Sequence, residues 1–144
     1  MNIIGHAAKK SVLEKLEKKI KEHSFIQLIT GEAPVPHQEI IKAILNADIG
    51  LISYKTNKST ENCMPTKLYE YLAYQLPYII CQNKTWAEIT TQHQAGIIVN
   101  YADVDAKEIM SQLKNISFYS NLIPEDIYWE TEEKKLTQLI DQLI

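Results

Sequence analysis

Along the chain, short apolar runs alternate with longer segments in which apolar residues recur every three or four positions. Five runs read as strands: Asn2 to Gly5, Phe25 to Thr30, Asp48 to Ser53, Tyr78 to Cys81 and Gly96 to Val99, each rich in Ile, Leu, Val or Tyr. Being mostly apolar rather than strictly alternating, they suit strands covered on both faces, as in a parallel sheet. Between them lie helix signals. Ser11 with Glu14, Thr85 with Glu88 and Asp105 with Glu108 have the spacing of capping boxes, in which two side chains satisfy free backbone donors at a helix start. Val12, Leu13, Leu16 and Ile20 form one apolar stripe, while Lys15, Lys18, Lys19 and Lys21 point elsewhere. Such alternation implies βαβ units with right-handed crossovers, hence an α/β fold with an open parallel sheet and helices on both faces. After Asn115 the pattern stops. "NISFYSNLIPEDIYWE" reads as irregular chain with aromatic anchors, and a last helix from about Thr131 carries Leu136, Leu139, Ile140 and Leu143 on one face. Residues 1–115 thus read as the sheet-bearing domain and 116–144 as a linker and closing helix.

Composition narrows the function classes. The 144 residues are 45% hydrophobic and 23% charged, the balance of a chain with a sizeable core. A net charge of −3 argues against a general grip on nucleic acid, which needs a strongly basic surface to displace counterions from phosphates. No apolar stretch approaches the roughly 20 residues that span a bilayer, and the N-terminus lacks the apolar core of a secretion signal, so a soluble, cytoplasmic chain is expected. Cys63 and Cys81 fit neither a disulfide framework nor a zinc pattern. A nucleophile elbow, a Walker loop and a G-x-G-x-x-G fingerprint are all absent.

In an open α/β sheet, ligands bind beyond the carboxyl ends of the strands, so the residues just after each strand matter most. The longest such segment, Tyr54 to Met64, leads into "NCMPTKLYEYLAYQLP", where a polar loop becomes a helix at Pro65. Proline suits the first helical position because its missing donor costs nothing there. The N–H groups of Thr66, Lys67 and Leu68 then point into the crevice and, with the helix dipole, favour an anion. Lys67 adds a full positive charge. Glu70 stands one turn further on the same side, where a carboxylate can accept two hydrogen bonds from neighbouring sugar hydroxyls. Phosphate at the helix tip and a sugar diol one turn down describe a nucleotide. The spacing alone fits an ordinary surface ion pair equally well. Leu68, Leu72 and Leu76 read as the core face of the helix, and the tyrosines around them as packing residues. His23 and His93 read as surface or capping groups, and Cys63 as incidental.

The stretch from Asn46 to Asp103, "NADIGLISYKTNKSTENCMPTKLYEYLAYQLPYIICQNKTWAEITTQHQAGIIVNYAD", resembles the donor-binding half of a GT-B glycosyltransferase, closest in style to the large retaining family 4. In such proteins an "aDigl.p" strand is followed by a loop, then "N.lP.Klf EymA.glPvi", "w.ei" and "Gi.v...d", and each piece stands here in that order. Upstream, "NIIGHA" resembles the family's "iiG.g" strand and "LITGEAPVPHQEI" its "f.G.vp..ei" segment. Downstream, "IYWETEEKKLTQLI" resembles its closing helix, so the resemblance covers essentially the whole chain.

The resemblance implies a Rossmann-like domain that takes a nucleoside diphosphate sugar and transfers the sugar to an acceptor in polysaccharide or glycoconjugate synthesis. It assigns Glu70 to the ribose hydroxyls and lays Met64, Pro65, Thr66 and Lys67 against the diphosphate. Gly31 to Val35 would line the base pocket and Gly5 the neighbouring turn. Eight residues before Glu70, where many members carry a glutamate that contacts the transferred sugar, this chain has Asn62, and Glu61 lies one place out of register. Either residue can take that role. No metal or cofactor is implied, because the helix tip and basic side chains stabilise the leaving diphosphate.

One departure is large. Family members carry a preceding acceptor domain and a first donor-domain strand and helix, whereas Met1 begins at what resembles the second strand. In a sheet ordered 3-2-1-4-5-6 the missing strand is central, which leaves unpaired edges and implies an isolated chain that is catalytically weak or inactive. With the closing helix, those edges lead us to expect a homodimer, while the full enzyme has room for peripheral membrane contact. Two other readings stay open: an inert nucleotide-binding or interaction module, and a GT-B-like sugar-nucleotide epimerase.

Overall fold

The computed structural model describes residues 1–30, 33–54, 57–58, 60–120 and 127–143. It is an α/β protein of two compact units, Met1–Asn46 and Ala47–Ile144. The first unit runs β1 (Asn2–Ile4), α1 (Lys10–Glu22), β2 (Gln27–Ile29) and α2 (His37–Leu45). Its strands pair in parallel with Ile3 opposite Leu28, and the ladder continues at both ends. The Gln27 N–H donates to the Met1 carbonyl at 2.9 Å, and the Gly5 N–H to the Ile29 carbonyl at 3.1 Å. Leu13, Leu16 and Ile20 of α1 are half-buried, but Val12 is exposed, so the helix presents a narrower stripe than its sequence suggests. Two strands and two helices cannot enclose much apolar surface. Among the described residues of this unit only Ile44 is buried.

The second unit holds the core. It runs β3 (Gly50–Ile52), α3 (Thr66–Ala73), β4 (Tyr78–Cys81), α4 (Lys84–Gln92), β5 (Gly96–Val99), α5 (Ala106–Asn115) and α6 (Trp129–Asp141). The sheet is parallel in the order β3-β4-β5, with Ile52 opposite Ile80 and Ile80 opposite Ile98. Central β4, "YIIC", is buried at every position, as a strand covered on both faces must be. On one face, Ile52, Tyr78 and Ile80 pack with Leu68 and Leu72 of α3 and Trp86 of α4. On the other, Ile79, Ile97 and Val99 pack with Ile109 and Leu113 of α5 and with Phe118. All five strands thus form where the apolar runs place them, with β1, β2 and β3 trimmed at their ends.

Two of the three expected helix caps differ. Asp105 does cap α5, its carboxylate accepting from the N–H groups of Lys107 at 2.8 Å and Glu108 at 3.4 Å. In α1 the helix starts at Lys10 without a side-chain cap, so Ser11 lies inside the first turn. In α4 the cap is Asn83 rather than Thr85, with its Oδ1 accepting from the Trp86 N–H at 3.2 Å. Pro65 stands at the N-cap of α3, one place earlier than the first helical position.

Helices α3 and α4 end alike, and neither uses glycine. Gln75 (φ 52°) and Gln94 (φ 49°) take the left-handed conformation that closes a helix. Leu76 N–H then donates to Tyr71 at 2.9 Å and Ala95 N–H to Thr90 at 3.0 Å, which turns the chain into β4 and β5. Tyr119 locks both turns from the irregular C-terminal segment: its hydroxyl donates to the Leu76 carbonyl at 2.8 Å, and its N–H to the Gln94 carbonyl at 3.0 Å. Helix α6 contrasts with this. None of its described residues is buried, and Leu136, Leu139, Ile140 and Leu143 are all exposed.

The buried phenols predict an alkaline limit. Burial pushes Tyr78 up to about 12, its hydrogen bond to Thr90 opposing part of the rise, and burial likewise raises Tyr71 and Tyr119. The neutral form is favoured in the fold, so the stability is fully present below the ordinary tyrosine value near 10 and is lost as pH climbs through 12. Chemical denaturation between about pH 9 and 12 should show a falling midpoint, and Tyr78→Phe should flatten that fall. A midpoint independent of pH up to 12 would contradict it.

Candidate functional site

Helix α3 begins at the mouth of the three-stranded sheet. Leu68 and Leu72, both fully buried, seat it on the core and leave Lys67 and Glu70 on a neighbouring side. Lys67 Nζ lies 2.8 Å from Glu70 Oε2, with the two side chains 36% and 23% exposed. This pair is better shielded than the Lys19–Glu22, Lys42–Glu39 and Lys135–Glu132 pairs, which are about half exposed or more. Beside it, a shallow cleft of about 170 Å³ is lined by Lys67 together with Leu51, Ile52, Ser53 and Tyr54. The cleft thus sits at the carboxyl end of β3, where a parallel sheet leaves its backbone groups for a ligand. Tyr71 rises above the usual tyrosine range through burial first, then through the adjacent Glu70 carboxylate and Tyr54.

The helix tip differs in detail from its sequence reading. Leu68 N–H is already used, donating to the Pro65 carbonyl at 3.0 Å, so the tip presents the N–H groups of Thr66 and Lys67. Pro65, at the N-cap, gives the tip no side-chain hydrogen bond. Pro65 is buried and Met64 packs against the core cluster, so both side chains are engaged inward while Thr66 is exposed.

Glu61 and Asn62 lie in the turn that leads to α3, with both side chains exposed. The turn is held by its own backbone: the Glu61 N–H donates to the Asn57 carbonyl at 2.8 Å and the Cys63 N–H to the Thr60 carbonyl at 3.2 Å. Gly5 and Val35 belong to the first unit. Gly5 sits at the carboxyl end of β1 with φ 151°, and Val35 is half-buried just before α2. Gly31 lies outside the described residues.

Gln82, Asn83, Asn100 and Tyr101 are among the residues that follow strands, but sequence reasoning gave them no role. A second cleft, of about 210 Å³, opens at the carboxyl ends of β4 and β5 between Tyr54 and Tyr101, over Cys81, Gln82 and Asn100. Burial, and then the neighbouring Cys81, raise the Tyr101 phenol. Asn83 and Trp86 face the loop before α3. For Asn83 the signal was its position just after β4, whereas Trp86 lies inside α4. Among the described residues no His, Cys, Asp and Glu cluster could hold a metal ion, and no helix is long and apolar enough to cross a membrane. Comparison with protein-family models, curated proteins and solved structures returns no match.

Proposed function

We propose that this chain is the donor-binding part of a glycosyltransferase that uses a nucleoside diphosphate sugar. The observation that carries the reading is the half-shielded Lys67–Glu70 pair at the start of α3, beside a cleft at the carboxyl end of β3. The diphosphate lies against the N–H groups of Thr66 and Lys67, where the helix dipole and the ammonium both favour negative charge. The ribose diol hydrogen-bonds to Glu70 one turn away. Lys67 must swing from Glu70 to the phosphates as the ligand enters, a small cost because an ion pair of this exposure holds only a few tenths of a kcal/mol. Glu61 or Asn62, exposed before the helix tip, contacts the transferred sugar. The parallel order β3-β4-β5 of the second unit is that of an open α/β sheet, which is compatible with the same reading.

Calorimetric titration with UDP, GDP and ADP tests this. Glu70→Ala should weaken the best of the three by about 1–3 kcal/mol, through loss of charge-assisted hydrogen bonds, with little change in melting temperature. Lys67→Ala should weaken the diphosphate far more than the corresponding bare nucleoside. Equal affinity in parent and Glu70→Ala reduces the pair to surface decoration, and a uniform loss for both ligands removes Lys67 from the phosphates.

A further inference from the structure

Three side chains from the segment that ends β4 and starts α4 grip the main chain at both ends of the loop between β3 and α3. At its beginning, the Cys81 thiol donates to the Tyr54 carbonyl at 2.8 Å. At its end, Asn83 Nδ2 donates to the Glu61 carbonyl at 2.9 Å, and Trp86 Nε1 donates to the Cys63 carbonyl at 2.8 Å. The two carbonyls lie on either side of Asn62, so the peptide unit before it and the one after Cys63 are held while the side chains of Glu61 and Asn62 stay exposed. Asn83 is 7% and Trp86 1% exposed. In such shielded surroundings a carbonyl deprived of its donor loses more than a surface group would, so these bonds bind the loop firmly.

We propose that Asn83 and Trp86 are positioning residues for the nucleotide-sugar site. By holding the Glu61 and Cys63 carbonyls they set the path of the loop into α3 before any ligand arrives, so that binding need not order it. The inference rests on the reading of α3 as the donor site, but it concerns side chains whose polar atoms are engaged with the loop's backbone. Each also has an ordinary duty, Asn83 as the cap of α4 and Trp86 as core filling. Conservative variants separate the two. Asn83→Ser keeps an oxygen that can cap the helix but no donor that reaches Glu61. Trp86→Phe keeps an aromatic ring in the core but no N–H.

The test is native-state amide hydrogen exchange at Thr60, Glu61 and Cys63, together with titration of each variant with whichever of UDP, GDP and ADP the parent binds. Each variant is expected to exchange about fivefold to tenfold faster at those amides, with β4 unchanged, and to bind the diphosphate several-fold more weakly. Unchanged exchange at the loop in both variants overturns the proposal. So does faster exchange with undiminished affinity, because the loop would then be held for stability alone. A parent that binds none of the three diphosphates defeats the donor-site reading itself, and the exchange comparison still decides whether Asn83 and Trp86 hold the loop.

Discussion

Trp86→Ala is expected to destabilise the protein by about 3–5 kcal/mol, a large share of the roughly 5–15 kcal/mol that separates folded from unfolded states of ordinary domains. Trp86 is among the largest fully buried side chains and packs in the same cluster as Ile52, Leu68, Leu72, Tyr78 and Ile80. Its ring makes an edge-type contact with that of Tyr54 at a centroid distance of 6.1 Å, and its Nε1 holds the Cys63 carbonyl. Truncation therefore removes transfer energy, opens a cavity between α3 and α4 and orphans a backbone acceptor. Trp86→Phe, which fills most of the space, should cost far less. Urea denaturation measures both, and a loss below about 1 kcal/mol for the alanine variant would mean that the core closes over the gap and that Trp86 does not organise it.

Gly96→Ala should be comparably damaging for a different reason. Gly96 lies opposite Tyr78 across the β4–β5 ladder, and a Cβ there would run into the Tyr78 carbonyl oxygen and come within 2.9 Å of its ring. Neither atom can retreat. The carbonyl belongs to the central strand, and the ring is fully buried with its hydroxyl 3.2 Å from Thr90 Oγ1. The strands must part, at a cost of about 2–4 kcal/mol from overpacking and strained ladder bonds. For a chain of this size that lowers the melting temperature by roughly 10 °C. A shift within about 2 °C would show that β5 slides outward without penalty.

Much of the fold was legible because the apolar runs mark the strands. "YIIC" and "GIIV" have no polar position to turn toward water, so both read as covered strands; the structure reproduces the bounds of both and covers β4 throughout, but leaves Ile98 of β5 exposed. Caps were less legible. Thr85 and Glu88 have the right spacing for a capping box, yet Asn83 wins because it serves two partners at once, the Trp86 N–H and the Glu61 carbonyl. That second partner lies 22 residues away in sequence and adds nothing to a local pattern. The turns after α3 and α4 were hidden for a similar reason. Glutamine at a left-handed position costs energy locally, and it is held there by Tyr119, whose contacts with both turns arise only when the C-terminal segment folds back.

By itself, the sequence determined the alternation of strand and helix, the parallel class of the sheet, the core face of α3 and the adjacency of Lys67 and Glu70. All of these follow from short continuous apolar runs, from the 3.6-residue period of a helix or from neighbours within one helical turn. Tertiary structure alone decided which side chains hold the loop before α3, how far the Lys67–Glu70 pair is shielded, and that the apolar stripe of α6 stays exposed. Each of these depends on surfaces brought together from distant parts of the chain. The free energy of a hydrogen bond or an ion pair is set by how much water is excluded around it, and that quantity does not exist until the elements have packed.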